Sequence, residues 1–251
     1  RFTVLALVGY LGWLHTISGV SGTLWIGSRV ATSAVADRLH RYAPLSGIVV
    51  FVLFGVGNAL WALDIPDTDA SGEEIARFYE DTSTEIVVGA SLSLVAIALF
   101  VWFGSVLRDH LERLEAGRAT GLSLAAFGGV VLACAVGLGA ETINMTAALR
   151  AESDGGITPE AAQAYFDISQ ILGFNAAGVA LAVILAATAA VALRRRALVP
   201  RWFAAVMLAL SLTLLSPPLV RVSFQLAFLV LPVISIALYR GQRGEQDRPS
   251  V

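Results

Sequence analysis

Seven polar side chains stand within or at the rims of long apolar runs: Asn58, Glu141, Asn144, Asp167, Gln170, Arg221 and Gln225. A polar group held in hydrocarbon is costly unless it is paired, so each is a candidate for binding or chemistry. Glu141 and Asp167 would serve as an acid and base if the fold joined them. Arg221 would pair with either carboxyl, and Asn175 lies one to two turns beyond Gln170 on the same run. The bland alternative is that these groups sit at headgroup level, with Arg221 reaching to water along its aliphatic stem.

Other chemistries find no support. All seventeen basic residues are arginines, so neither a lysine Schiff base nor a phosphate loop ending in lysine is available. His15, His40 and His110 fall outside the six long apolar runs, which argues against paired haem ligands, and no His or Cys spacing suits zinc. Cys134 has no second cysteine to pair with and reads as a small core residue. Asn144-Met-Thr146 matches a glycosylation triplet of low specificity. No metal, cofactor or nucleic-acid partner is expected; the partners foreseen are membrane lipids and an unidentified small ligand or membrane protein.

The elements that must position these groups follow from composition. The 251 residues are 57% hydrophobic and 14% charged, against about 25% charged in soluble domains, and mean hydropathy is +0.75. The charges cluster between apolar runs at roughly 47–64, 86–106, 120–140, 169–193, 200–216 and 219–239. Each run is long enough for a membrane helix, the fifth being the shortest. The expected fold is therefore all-α, a polytopic bundle of six spans, or seven if residues 4–25 also cross. Ser216, Pro217 and Pro218 force a tight turn between the last two.

Orientation follows from the arginines, which mark cytoplasmic loops. Arg108, Arg113 and Arg118 share one loop, Arg194, Arg195, Arg196 and Arg201 another, and Arg240, Arg243 and Arg248 the tail; Arg29, Arg38 and Arg41 precede the first run. They alternate with two acidic loops, one carrying Asp67, Asp69, Glu73, Glu74, Glu80, Asp81 and Glu85, the other Glu152, Asp154 and Glu160. The C-terminus is thus expected in the cytoplasm of a bacterial inner-membrane protein. All seven polar residues then fall near the outer face, which suits a shallow outward-facing pocket better than an ion path through the bilayer.

Finer features are also expected. Ser71 with Glu74, and Thr82 with Glu85, have capping-box spacing, and Thr158-Pro159 suits a helix start. A short amphipathic helix near 72–80 would bury Ile75, Phe78 and Tyr79. Leu107, Leu111 and Leu114 carry the second span on into the cytoplasm. Ala125, Gly129, Ala133 and Gly137 recur at spacings of four, answered by Gly178, Ala182, Ala186 and Ala190, which predicts a close pair of helices that brings Glu141 towards Asp167.

The chain divides into residues 1–41, an extra span, a signal-like segment or non-native upstream sequence; 42–240, the six-helix domain; and 241–251, a polar cytoplasmic tail. Tyr42-Ala-Pro-Leu-Ser-Gly47, Asp69 to Tyr79 and Leu198-Val-Pro-Arg-Trp202 resemble a group of small bacterial multi-pass membrane proteins of unknown function, loosely of the DUF4386 type, over roughly 42–239. The resemblance supplies no catalytic residues, and implies that residues before about 30 are atypical. The leading expectation is a non-enzymatic membrane protein whose outer pocket binds a lipid, a small ligand or a protein partner. A secondary transporter of a small solute and a membrane enzyme using Glu141 and Asp167 are the alternatives.

Overall fold

The computed structural model describes residues 42–246 apart from 62–63, 68, 116–120 and 196–197, with side chains described as far as Gln242. The expected extra span at 4–25 and the whole 1–41 segment, with His15, His40 and Arg29, Arg38 and Arg41, lie outside the described residues, as do Arg118, Arg196 and Arg248.

Every regular element among the described residues is helical. A 3-10 turn, Ala43–Leu45, leads into α1 (Ser46–Ala59); α2 is Gly72–Asp81, α3 Ser83–Glu115, α4 Leu122–Ala151 and α5 Pro159–Gln170. A π-turn, Ile171–Ala176, joins α5 to α6 (Ala177–Arg195), followed by α7 (Arg201–Thr213), α8 (Val220–Phe228) and α9 (Val230–Gln246). Four continuous stretches are long and apolar enough to cross a membrane: Ser83–Glu115, Leu122–Ala151, Pro159–Arg195 and Val220–Gln242. The first and fifth apolar runs fold as shorter helices, Ala43–Ala59 and Arg201–Thr213.

The breaks have local causes. Turns at Ser216, Pro217 and Pro218 separate α7 from α8. Pro232 has no N–H to give the Phe228 carbonyl, and the helix is interrupted at Leu229 between α8 and α9. The 33 residues of α3 reach about 50 Å, well beyond the about 30 Å of a hydrocarbon core. Leu107 and Leu111 on its extension are buried against the bundle.

The helices pack in a ring: α1 on α3, α3 on α4, α4 on α6, α6 on α7, with α8 and α9 closing the circuit back to α1. Large apolar residues also cover the ring's outside, among them Val95, Leu124, Leu212 and Val222. An apolar exterior over an apolar core is what lipid, and not water, selects.

A second, smaller core lies at one end. There α2 buries Ile75, Ala76, Phe78 and Tyr79 against Ile86, Ala147, Ala148, Ala162 and Phe166 of α3, α4 and α5. Ser71 caps α2 reciprocally with Glu74, and Thr158 accepts the Ala161 amide at the start of α5. The second expected capping box does not form. Thr82 closes α2, its hydroxyl donating to the Phe78 carbonyl at 2.6 Å, because α3 begins only one residue later. Ser83 donates instead to Glu152 at 2.7 Å, tying α3 to the loop after α4.

Candidate functional site

The ring walls a partly open cavity of about 490 Å³ below the α2–α5 cap. Glu141, one turn past Gly137 on α4, reaches it because α4 packs between α3 and α6. Of the seven polar candidates, Asn58, Glu141, Asn144, Gln170 and Gln225 line this space. A smaller chamber of about 70 Å³ lies deeper, lined almost wholly by apolar groups, including Ile97, Phe100, Cys134 and Leu181. Glu141, Phe54, Gly173, Phe224 and Phe228 line both.

Glu141 is 6% exposed, and its Oε2 has no hydrogen-bond partner among the described residues. Ser93 of α3 is directed at this carboxyl, yet Ser93 Oγ is itself buried and unpartnered. Among the described residues, no arginine or histidine lines either chamber, and Glu141 is the one carboxyl in those walls. A buried polar atom without a partner is rare in folded proteins and calls for an explanation.

The expected carboxyl pair is absent. Asp167 is exposed, accepts a hydrogen bond from Gln163 of its own helix at 3.1 Å, and does not line the cavity that Glu141 lines. Arg221 joins neither carboxyl. Its Nη2 donates to Gln170 Oε1 at 2.9 Å, and its guanidinium lies 5.3 Å from the Phe174 ring centre. The π-turn explains part of this. One extra residue per turn between Gln170 and Ala177 shifts the register of everything before it relative to α6. Asp167 faces out, while Gln170 at the end of α5 and Gly173 within the π-turn face the cavity. Asn58 Nδ2 donates to the Phe54 carbonyl of its own helix at 2.8 Å, and Asn175 is exposed.

The small-residue stripe divides between neighbours. At Gly129 an added Cβ would stand 2.8 Å from Ile184 Cγ1 and 3.0 Å from the Ala180 carbonyl oxygen, so α4 meets α6 there. Ala133 and Gly137 line the deeper chamber instead, and Gly137 faces Ile97 of α3. Ala125 is half-buried against the main core and Ala182 is buried within it. Gly178 looks away from α4, its Cβ position 2.7 Å from Val220 Cγ2 of α8.

Sequence reading attends to polar atoms and so misses the aromatic wall. Phe54 and Phe228 stack with centroids 4.6 Å apart, Phe228 and Phe224 lie 5.4 Å apart, and Phe224 meets Phe174 edge-on at 5.6 Å. Phe224 and Phe228 are four residues apart, the usual spacing of one helix face, which in an apolar run carries no distinguishing signal. The cap reaches the same site through Tyr79, whose hydroxyl donates to Asn144 Oδ1 at 3.3 Å. Burial pushes the Tyr79 phenol above its ordinary range, offset only in part by the Ser169 hydroxyl. Glu74, exposed at the start of α2, is held below the usual carboxylate range, first by the Ser71 amide and then by the Ser71 hydroxyl.

No family model, no curated protein and no solved structure matches this chain.

Proposed function

We propose that this chain is a six-span bacterial inner-membrane protein that binds a small lipophilic ligand in the cavity beneath its α2–α5 cap, without chemical conversion. The carrying observation is Glu141, nine-tenths buried, unpartnered at Oε2 and shared by both chambers. A volume of about 490 Å³ falls within the about 300–1,000 Å³ usual for ligand sites, as does a mainly apolar wall with a few convergent polar groups. Six crossings count the shorter helices Ala43–Ala59 and Arg201–Thr213 with the four long ones. The acidic loops and cap lie at one end and Arg108, Arg113, Arg194 and Arg195 at the other, which favours an outward-facing cavity and a cytoplasmic C-terminus. The resemblance to small multi-pass proteins of the DUF4386 type is consistent with this and adds no substrate.

The enzyme reading loses its acid and base pair, since Asp167 does not line the cavity. The transporter reading wants polar groups along a path, and the deeper chamber is lined by apolar side chains apart from Glu141.

A diazirine-bearing octanol, photolysed with the full chain in lipid nanodiscs and mapped by peptide mass spectrometry, tests the site. Labels are expected on Phe54, Phe174, Phe224 or Phe228 and should fall with excess unlabelled octanol. Labelling confined to the lipid-facing Val95, Leu212 and Val222, without saturation, would remove the pocket reading.

A further inference from the structure

Burying a carboxylate without a counter-charge is costly, and a cation brought against it offsets that cost. The two chambers hold one acidic group and no basic one among the described residues. The site is therefore electrostatically incomplete in one direction. Against an ionised Glu141 an anionic ligand would meet repulsion and a cation would supply the counter-charge, whereas a neutral ligand would leave the carboxyl to take up a proton.

The aromatic row points the same way. Phe54, Phe228, Phe224 and Phe174 run in unbroken ring contact along the wall that also carries Glu141. Ring faces attract cations, most strongly where water is excluded, and quaternary ammonium groups are commonly held by aromatic cages. The last ring of this row already takes a cation, the Arg221 guanidinium at 5.3 Å. A third observation concerns the charge at the cap end of the bundle. The groove above α1, between it and the cap, is lined by Asp64, Glu74, Asp81 and Glu85 against Arg77 alone. Carboxylates gathered at that end raise the local concentration of positive ligands there.

We infer that the ligand is a monocationic amphiphile of the alkylammonium class, its charged head between the Glu141 carboxyl and the Phe54–Phe228–Phe224 rings and a short apolar substituent in the deeper chamber. This rests on the pocket reading above and assigns its chemistry. The chamber beyond Glu141, about 70 Å³, accepts only a few carbons, so any longer chain lies in the larger space.

The test is equilibrium binding of three radiolabelled probes of one chain length, octyltrimethylammonium, octanol and octanoate, to the full chain in nanodiscs, with protein-free nanodiscs as background. Octyltrimethylammonium is expected to bind saturably and at least tenfold more tightly than octanol, and octanoate most weakly. Glu141→Gln should cost the cation about tenfold and leave octanol unchanged. Phe228→Leu, which removes a ring but keeps most of the volume, should weaken the cation several-fold more than octanol. If Glu141→Gln does not fold, the order of the three probes on the unmodified chain and the Phe228→Leu comparison decide. Saturable octanol binding with no preference for the cation overturns the ammonium assignment while the pocket stands. No saturable binding of any probe overturns both.

Discussion

Tyr79 of α2 donates its hydroxyl to Asn144 Oδ1 of α4 at 3.3 Å, across 65 positions of sequence. The bond fastens the amphipathic cap helix to the cavity wall, because Asn144 lines the cavity and Tyr79, 1% exposed, does not. Tyr79→Phe keeps the ring packing and removes only this bond. It should destabilise the chain by about 1 kcal/mol, the usual net worth of one buried hydrogen bond, measured by equilibrium unfolding in mixed micelles. The phenol also gives a pH signature. Its folded-state pKa is raised, so its contribution to stability is complete below the unfolded value of about 10 and is lost as pH climbs through the folded value. An ultraviolet titration should show a tyrosinate transition that lags until unfolding, absent in Tyr79→Phe.

Glu74 supplies the opposite sign. Its folded-state pKa is depressed by the Ser71 amide and hydroxyl, so its capping contribution is present above the unfolded value and lost as pH falls through the folded one. The protection of the amides at the start of α2, taken as exchange relative to the intrinsic rate at each pH, should therefore fall on acidification. In Glu74→Gln the same protection should change less with pH, since the capping carboxylate is gone. Equal acid sensitivity in both proteins would mean that the box in the structure does not hold α2.

Elements governed by local chemistry were legible in the sequence. The Ser71–Glu74 box and the Thr158-Pro159 start need only neighbours within one turn, and both are present. Ile75, Phe78 and Tyr79 share a face by periodicity alone, and that face is buried. Asn58, Glu141, Asn144, Gln170 and Gln225 could be singled out because polarity inside an apolar run is visible without a fold. What was not legible depends on register. The π-turn at Ile171–Ala176 carries no proline or charge to announce it, and it rotates all of α5, Asp167 and Gln170 included, relative to α6. The aromatic wall was hidden for a different reason: a phenylalanine in an apolar run looks the same whether it meets lipid or a cavity.

Glu115 shows a cap supplied from outside the helix it serves. Gly121, at the start of α4, has a left-handed φ of 70° and no side chain to offer the first free amides. The carboxylate of Glu115, the last residue of α3, accepts instead from the Leu122 amide at 3.0 Å, the Ser123 amide at 3.4 Å and the Ser123 hydroxyl at 2.9 Å. Negative charge at a helix start is also favoured by the helix dipole. Glu115→Ala should cost about 2 kcal/mol, as loss of a charged cap from a buried site does, and Glu115→Gln about half of that. Equilibrium unfolding of the two variants would check the order, and equal stability of all three proteins would refute the capping role.

Adjacent glycines on α4 separate packing from helix propensity. At Gly128 an added Cβ meets nothing within 4 Å, whereas at Gly129 it would press on Ile184 and on the Ala180 carbonyl, which belongs to the α6 backbone and cannot swing aside. Both lie mid-helix, where alanine is favoured over glycine by about 0.5–1 kcal/mol. Gly128→Ala should therefore be neutral or stabilising by up to that amount. Gly129→Ala adds an overpacking cost of about 1–3 kcal/mol, which outweighs the propensity gain, so its sign should reverse. Moving the α4–α6 contact apart would also widen the ring towards Glu141, twelve residues further along α4. The same variant should then weaken octyltrimethylammonium binding, while Gly128→Ala leaves it unchanged. If both glycines respond alike in stability, α4 and α6 do not meet at Gly129 as the structure has them.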